Sequence, residues 1–203
     1  MRGLILFTLP ALALAAVASL DPRQSSRRIR VVGAKRLGGN GCPPGWFLFK
    51  PNEEDPNATP AGTLAFGQYV ASVGPQDPSA NREKTCEFEV TFEFPLGCTS
   101  GTILVQPRGD VTLQPGTQAV FTSQNDISPG TLGPNPPDIR FTEDRPGFVE
   151  NYLIPVRENV LENQRNVTFT ARTRIFVVQP GPIEESSFAV DSLDLSVLGA
   201  TTC

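Results

Sequence analysis

The stretch Cys86-Glu-Phe-Glu-Val-Thr-Phe-Glu-Phe94 constrains the fold more than any other part of this chain. Cys86, Phe88, Val90, Phe92 and Phe94 share one parity, while Glu87, Glu89, Thr91 and Glu93 share the other. Side chains alternate across a strand, so this period of two predicts a strand with one dry face and one wet face. Strands covered on one face only belong to antiparallel sheets. A second long run, Asn166 to Val178, repeats the pattern with Val167, Phe169, Ala171, Ile175 and Val177 inward. Both faces turn apolar near its end, as where a strand passes under cover. Weaker strands are expected at 46–50, 63–71, 102–106, 111–113, 118–122, 148–156 and 188–198. In the last, the apolar parity changes from Phe188/Val190 to Leu193/Leu195/Val197, which predicts a bulge.

Proline and glycine separate these runs. With 20 Pro and 18 Gly the chain has little room for long helices. Turn clusters fall at 51–60, 75–80, 107–110, 115–116, 128–137 and 180–182. Only 79–84 and 156–165 leave room for a turn or two of helix. About nine short strands between such breakers predict an all-β, antiparallel β-sandwich, immunoglobulin-like or jelly-roll-like.

Three segments are expected. Residues 1–18 have an Arg, a run of apolar residues from Leu4 to Ala16 and a small-x-small end, the pattern of a secretory signal cut after Ala18. The run is shorter than the ~20 residues that span a bilayer, so no stable membrane insertion is expected. Residues 19–36 are basic and carry the pairs Arg27-Arg28 and Lys35-Arg36; they read as a pro-segment cut after Arg36 or as a solvated linker. Residues 37–203 form a single domain. Residues 1–36 hold seven of the 17 basic residues and one of the 21 acids, which leaves 37–203 with ten against twenty, a net charge of −10. An acidic domain lacks the positive field that phosphate backbones require, so no nucleic-acid partner is expected.

Histidine is absent. That excludes Ser-His-Asp and Cys-His nucleophilic sites and His-ligated zinc within this chain. The four cysteines, Cys42, Cys86, Cys98 and Cys203, contain no C-x-x-C spacing and read as two disulfides in an exported chain. Three pairings are open. The inward parity of Cys86 favours Cys42–Cys86 with Cys98–Cys203. Asn166-Val-Thr168 and Asn57-Ala-Thr59 are glycosylation sequons, the second followed by Pro60.

Gly41-Cys-Pro-Pro-Gly45, then Phe66, Tyr69, Ala71 and Gly74, then Lys84 and Cys86, carry a resemblance. Pro95, Gly97, Arg108-Gly109, Leu113, Gly116 and a final Cys extend it. On these residues the chain resembles the secreted, mainly fungal proteins of domain-of-unknown-function family 4360. The resemblance implies secretion and a disulfide-bonded fold, and no activity. The family's third cysteine lies in a later Pro-Cys-Gly turn, whereas here Cys98 follows Gly97.

Candidate chemistry is thin. Glu87, Glu89 and Glu93 share a strand face at spacings compatible with paired-carboxylate glycoside hydrolysis. An open polar face does not raise a carboxyl pKa, so they read as a solvated acidic face. Asn52-Glu-Glu-Asp55 and Asp191/Asp194 offer oxygen ligands but do not match a calcium-loop pattern. Arg108-Gly-Asp110 reads as a hairpin turn rather than an integrin motif. Trp46, beside Phe47 and Phe49, reads as a first strand anchoring the core, with sugar stacking as the alternative. The expected function is a secreted, non-catalytic interaction or structural protein at the cell surface or wall, with an extracellular protein or glycan as partner and no cofactor. The alternative is a carboxylate-dependent glycan-active enzyme or a carbohydrate-binding module.

Overall fold

A computed structural model describes residues 30–52, 61–77, 79–94, 101–156, 166–179 and 184–198. Two antiparallel sheets carry all of its strands. The first has five, in the order β1 (Arg30–Gly38), β5 (Glu83–Glu93), β11 (Asn166–Val178), β7 (Gln118–Ser128) and β8 (Ile139–Phe141). The second has seven. Its main path runs β10 (Tyr152–Val156), β6 (Gly101–Thr112), β12 (Ser186–Leu198), β3 (Gly62–Phe66) and β2 (Phe47–Pro51). Beside it, β9 (Arg145–Val149) pairs with β6 and β4 (Val70–Val73) pairs with β12. A 3-10 turn at Ser79–Asn81 occupies one of the two places left for helix; most of the other, 157–165, lies outside the described residues.

The all-β, antiparallel expectation holds, but the described strands number twelve rather than about nine. The differences have physical causes. Residues 63–71 form two strands, because β12 is bulged between Val190 and Ser192. β4 pairs with β12 before the bulge and β3 after it. That bulge is the one the parity change predicts. Likewise 148–156 splits into β9 and β10, which lie end to end along β6. Conversely, 102–106 and 111–112 belong to one strand, β6, which ends one residue before the expected bound at 113. Arg108-Gly-Asp110 is therefore the interior of a central strand and not a hairpin turn. Pro107 is tolerated there because it faces the gap between β9 and β10. Its carbonyl accepts from Glu150 N–H at 3.2 Å, and in a strand the missing donor of the same residue points the same way. β1 and β8 have no counterpart among the expected strands. β1 runs through the expected boundary at residues 36 and 37, pairing with β5 from Arg30↔Glu93 to Gly38↔Glu87.

The inward parities predicted for β5 and β11 are buried: Phe88, Val90, Phe92, Val167, Phe169 and Ile175 are all core residues. They face Leu64, Ile103, Ile154, Phe188, Leu193 and Leu195 of the other sheet. Two tyrosines rivet the layers. Tyr152 packs edge-on against Phe121, and its single O–H is shared between the carbonyls of Ser123 (3.2 Å) and Pro136 (3.1 Å). Tyr69 donates to Thr173 Oγ1 at 2.9 Å, which in turn donates to the Cys86 carbonyl at 3.1 Å. Burial pushes the Tyr69 phenol far above its ordinary range, which keeps it a neutral donor. The apolar end of β11 is not covered by another layer: Val178 is exposed, and Phe176 lies under the Arg174 guanidinium at 4.5 Å.

Cys42 and Cys86 form a disulfide, both residues fully buried, and tie the segment before β2 to β5. Cys98 and Cys203, the second expected pair, lie outside the described residues, so one bridge is seen where two were expected.

Candidate functional site

Phe47 and Phe49 take the inward positions of β2, where the Phe47 ring packs at 5.9 Å from Phe66 and 6.3 Å from Phe88. Alternation then sends Trp46, Leu48 and Lys50 to the outer face of the seven-stranded sheet. Trp46 is 49% exposed and Leu48 66% exposed. The expectation that Trp46 anchors the core is thus corrected, since its two phenylalanine neighbours occupy that parity. Trp46 is nevertheless held. Its N–H donates to Pro43 O at 3.1 Å, closing a turn in which Gly45 takes φ +85°. Its carbonyl accepts from Gly67 N–H at 3.0 Å. The indole lies on Gly67, where an added Cβ would sit 2.0 Å from the ring. Only glycine leaves space for this edge of the ring. Tyr69 and Tyr152 are core residues, so Trp46 is the one exposed Trp or Tyr among the described residues.

A polar row crosses the same face. Pairing places Lys50 opposite Thr63, Thr63 opposite Asp194 and Asp194 opposite Gln106. The next row runs Leu48, Ala65, Ser192, Arg108. With strands about 4.8 Å apart, Leu48 and Arg108 lie about 14 Å from each other across the sheet. Asp194 accepts from Thr63 Oγ1 at 2.7 Å and from Arg108 Nε at 2.5 Å. The Asp194 side chain is 8% exposed and that of Arg108 44%, so the pair presents its guanidinium to solvent. Gln106 Nε2 donates to Asn151 Oδ1 at 2.8 Å at the far end of the row.

Asp191 protrudes at the bulge of β12, near Asp110, which accepts from Gly147 N–H at 2.8 Å. Partial removal from water, then the Asp110 charge, pushes the Asp191 carboxyl above its ordinary value. The folded chain therefore holds this proton more tightly than the unfolded chain. That stabilisation is complete at acid pH and is lost as pH rises through the folded value. Asp191→Asn should raise the unfolding temperature by a few degrees at most at about pH 7 and leave it unchanged near about pH 3, where both states are protonated. Thermal melts at the two pH values check this.

The other expected sites are dispersed. Asp194 is engaged by Arg108 and Thr63 rather than joined to Asp191, and residues 53–55 of the Asn52–Asp55 run lie outside the described residues. Among the described residues no three metal-ligating side chains cluster. Glu87 and Glu83 pair with Arg172 (3.1 Å) and Arg174 (2.6 Å) on the outer face of the five-stranded sheet, which fits the solvated-face reading. Asn166 opens β11 on that same outer parity and is exposed. Ala18 and Asn57 lie outside the described residues. Arg36 lies within β1, half-buried. The Arg108–Asp194 pair was not foreseen. Its only sequence signal is a charged residue at the centre of each of two apolar strands.

The family model described as Domain of unknown function (DUF4360) matches residues 27–144. An uncharacterized secreted protein of Arthroderma benhamiae is 28% identical over 96 residues, covering 47% of this chain and 37% of that relative's length. Among solved structures, TmCBM61 in complex with beta-1,4-galactotriose aligns over 85% of this chain and 91% of its own, at 12% identity and a TM-score of 0.29. At that score the likeness implies neither fold nor ligand for this chain.

Proposed function

Because the chain belongs to the family described as Domain of unknown function (DUF4360), which brings no activity with it, we propose a function from its own surface. The protein is a secreted, non-catalytic interaction domain that holds a glycan on the Trp46 face of its seven-stranded sheet. One observation carries this reading: a half-exposed indole packs its edge against Gly67, on the same sheet face as the Arg108 row and the Lys50–Gln106 row of hydrogen-bonding side chains. A sugar ring presents C–H groups on its faces and hydroxyls around its rim. The indole takes a face, and Lys50, Arg108, Gln106 and Asn151 are placed to take hydroxyls. Holding the aromatic rigid before binding removes an ordering cost that a free side chain would incur. The acidity of residues 37–203 disfavours polyanionic glycans, which leaves neutral or basic ones.

Secretion is supported by the leader pattern of residues 1–18, by the disulfide, and by the Arthroderma benhamiae relative, itself a secreted protein. In this reading the leader is removed after Ala18, and a glycan on Asn166 would project from the opposite sheet, leaving the Trp46 face clear. The ion pairs that hold Glu83, Glu87 and Asp194 favour a binding role over a carboxylate-dependent hydrolytic one.

Trp46 is the sole tryptophan, so its fluorescence reports on this face alone. Titration with soluble β-glucan, chitin, mannan and galactan oligosaccharides should shift its emission for at least one class. Trp46→Ala should weaken that binding roughly tenfold or more in calorimetry, equivalent to about 1.4 kcal/mol, while Trp46→Phe retains most of it. Unchanged emission with every class, or equal affinity in the alanine variant, overturns the proposal.

A further inference from the structure

The Lys35-Arg36 pair has the sequence of a processing site, yet its surroundings are those of a fastened strand. β1 is paired with β5 along its length, and Val31 is only 5% exposed. The corner that follows is fixed at several points. The Arg36 guanidinium donates from Nε to the Cys42 carbonyl and from Nη2 to the Gly39 carbonyl at 3.0 Å. Gly41 N–H donates to Thr85 O at 2.7 Å, and Asn40 Oδ1 accepts from Thr85 N–H at 2.8 Å. Gly39, at φ +104°, lies so close to β5 that an added Cβ would be 2.2 Å from Thr85 O. The Cys42–Cys86 bridge closes the corner.

A protease selective for paired basic residues needs two things. It must pair with the backbone of several extended residues around the scissile bond, and it must draw the arginine into an acidic pocket. Here the backbone is already paired on one side, and the guanidinium is already bound to two carbonyls. We infer that the chain is not cut after Arg36 once folded, that Arg36 is the clamp holding the disulfide corner to the edge strand, and that the mature domain keeps β1. Any removal of the basic leader then takes place upstream of Arg30. Disulfides form in the oxidising compartment that an exported chain enters, which allows the corner to be bridged before a processing protease meets it.

Intact mass and N-terminal sequencing of the secreted protein, followed by digestion with a paired-basic protease, test this independently of any glycan binding. The expected N terminus lies at or before Arg30. Native protein should be cut after Arg36 at least roughly a hundredfold more slowly than a synthetic peptide of residues 31–42, because cleavage must await local opening of the corner. Asn40→Ala leaves Lys35-Arg36 intact but removes the acceptor of the Thr85 N–H, and should speed the cut about two- to tenfold. Reduced, denatured protein should be cut as fast as the peptide. A secreted N terminus at Leu37, or cleavage of native protein at the peptide's rate, overturns the inference. An Asn40→Ala rate equal to wild type overturns the role given to the corner.

Discussion

Replacing Cys42 and Cys86 together by alanine lowers the stability of this domain by about 4 kcal/mol. That is the loop-closure entropy the bridge removes from the unfolded chain across its separation of 44 residues. Small domains are stable by only about 5–15 kcal/mol, so the loss is a large fraction of the total. Alanine is the informative replacement, because both sulfurs are fully buried and a serine hydroxyl there would have to find a partner. Urea unfolding of oxidised wild type, reduced wild type and the double variant checks the value. Reduced wild type and the variant should fall close together, well below the oxidised protein. Equal midpoints for all three would mean that the bridge adds nothing to the native state.

Gly109→Ala is the second large effect, and its sign depends on two opposing terms. Replacing glycine restricts the unfolded chain, which ordinarily stabilises by about 0.4–1 kcal/mol. Against this, the added Cβ would lie 2.1 Å from the Ala189 carbonyl oxygen and 3.0 Å from the Val190 Cα, both backbone of the central partner β12. Backbone cannot swing aside as a side chain can, so β6 and β12 must separate at the bulge, at a cost of about 3 kcal/mol, the upper part of the over-packing range. The net expectation is a loss of about 2 kcal/mol, read from the urea midpoint. Gly33→Ala is the control. Nothing lies within 4 Å of its built Cβ, so that variant should be neutral or slightly stabilised. A Gly109→Ala midpoint equal to that of the control would show that the two strands are not in close contact there.

The same glycine shows where local reading fails. Pro107-Arg-Gly-Asp110 is composed of turn formers, and nothing within those four residues marks them as strand. What makes them strand is β12 on one side, and on the other a break between β9 and β10 opposite Pro107. Trp46-Phe-Leu-Phe49 fails for a different reason. Four apolar residues in a row carry no alternation, so parity alone cannot say which pair is covered. Packing of Phe47 on Phe66 and Phe88 decides it, and Trp46 is left outside. β1 is basic and sparsely apolar, and its strand character comes from the edge of β5 rather than from its own side chains.

By contrast, β5, β11 and the bulge of β12 are legible from the chain alone, because alternation, and its interruption, are properties of neighbouring residues. So is the burial of Cys86, which follows from its parity. Sequence by itself therefore determined the class of fold, the wet and dry faces of its longest strands and one end of its disulfide. Only the tertiary structure decided that Trp46 lies open on Gly67, that Arg108 meets Asp194 across 86 positions of chain, and that Arg36 holds the carbonyls of the disulfide corner. The reason is one of range. A strand's periodicity fixes which side chains share a face, whereas what covers that face, and which charge pairs on it, depends on residues brought together from distant parts of the chain.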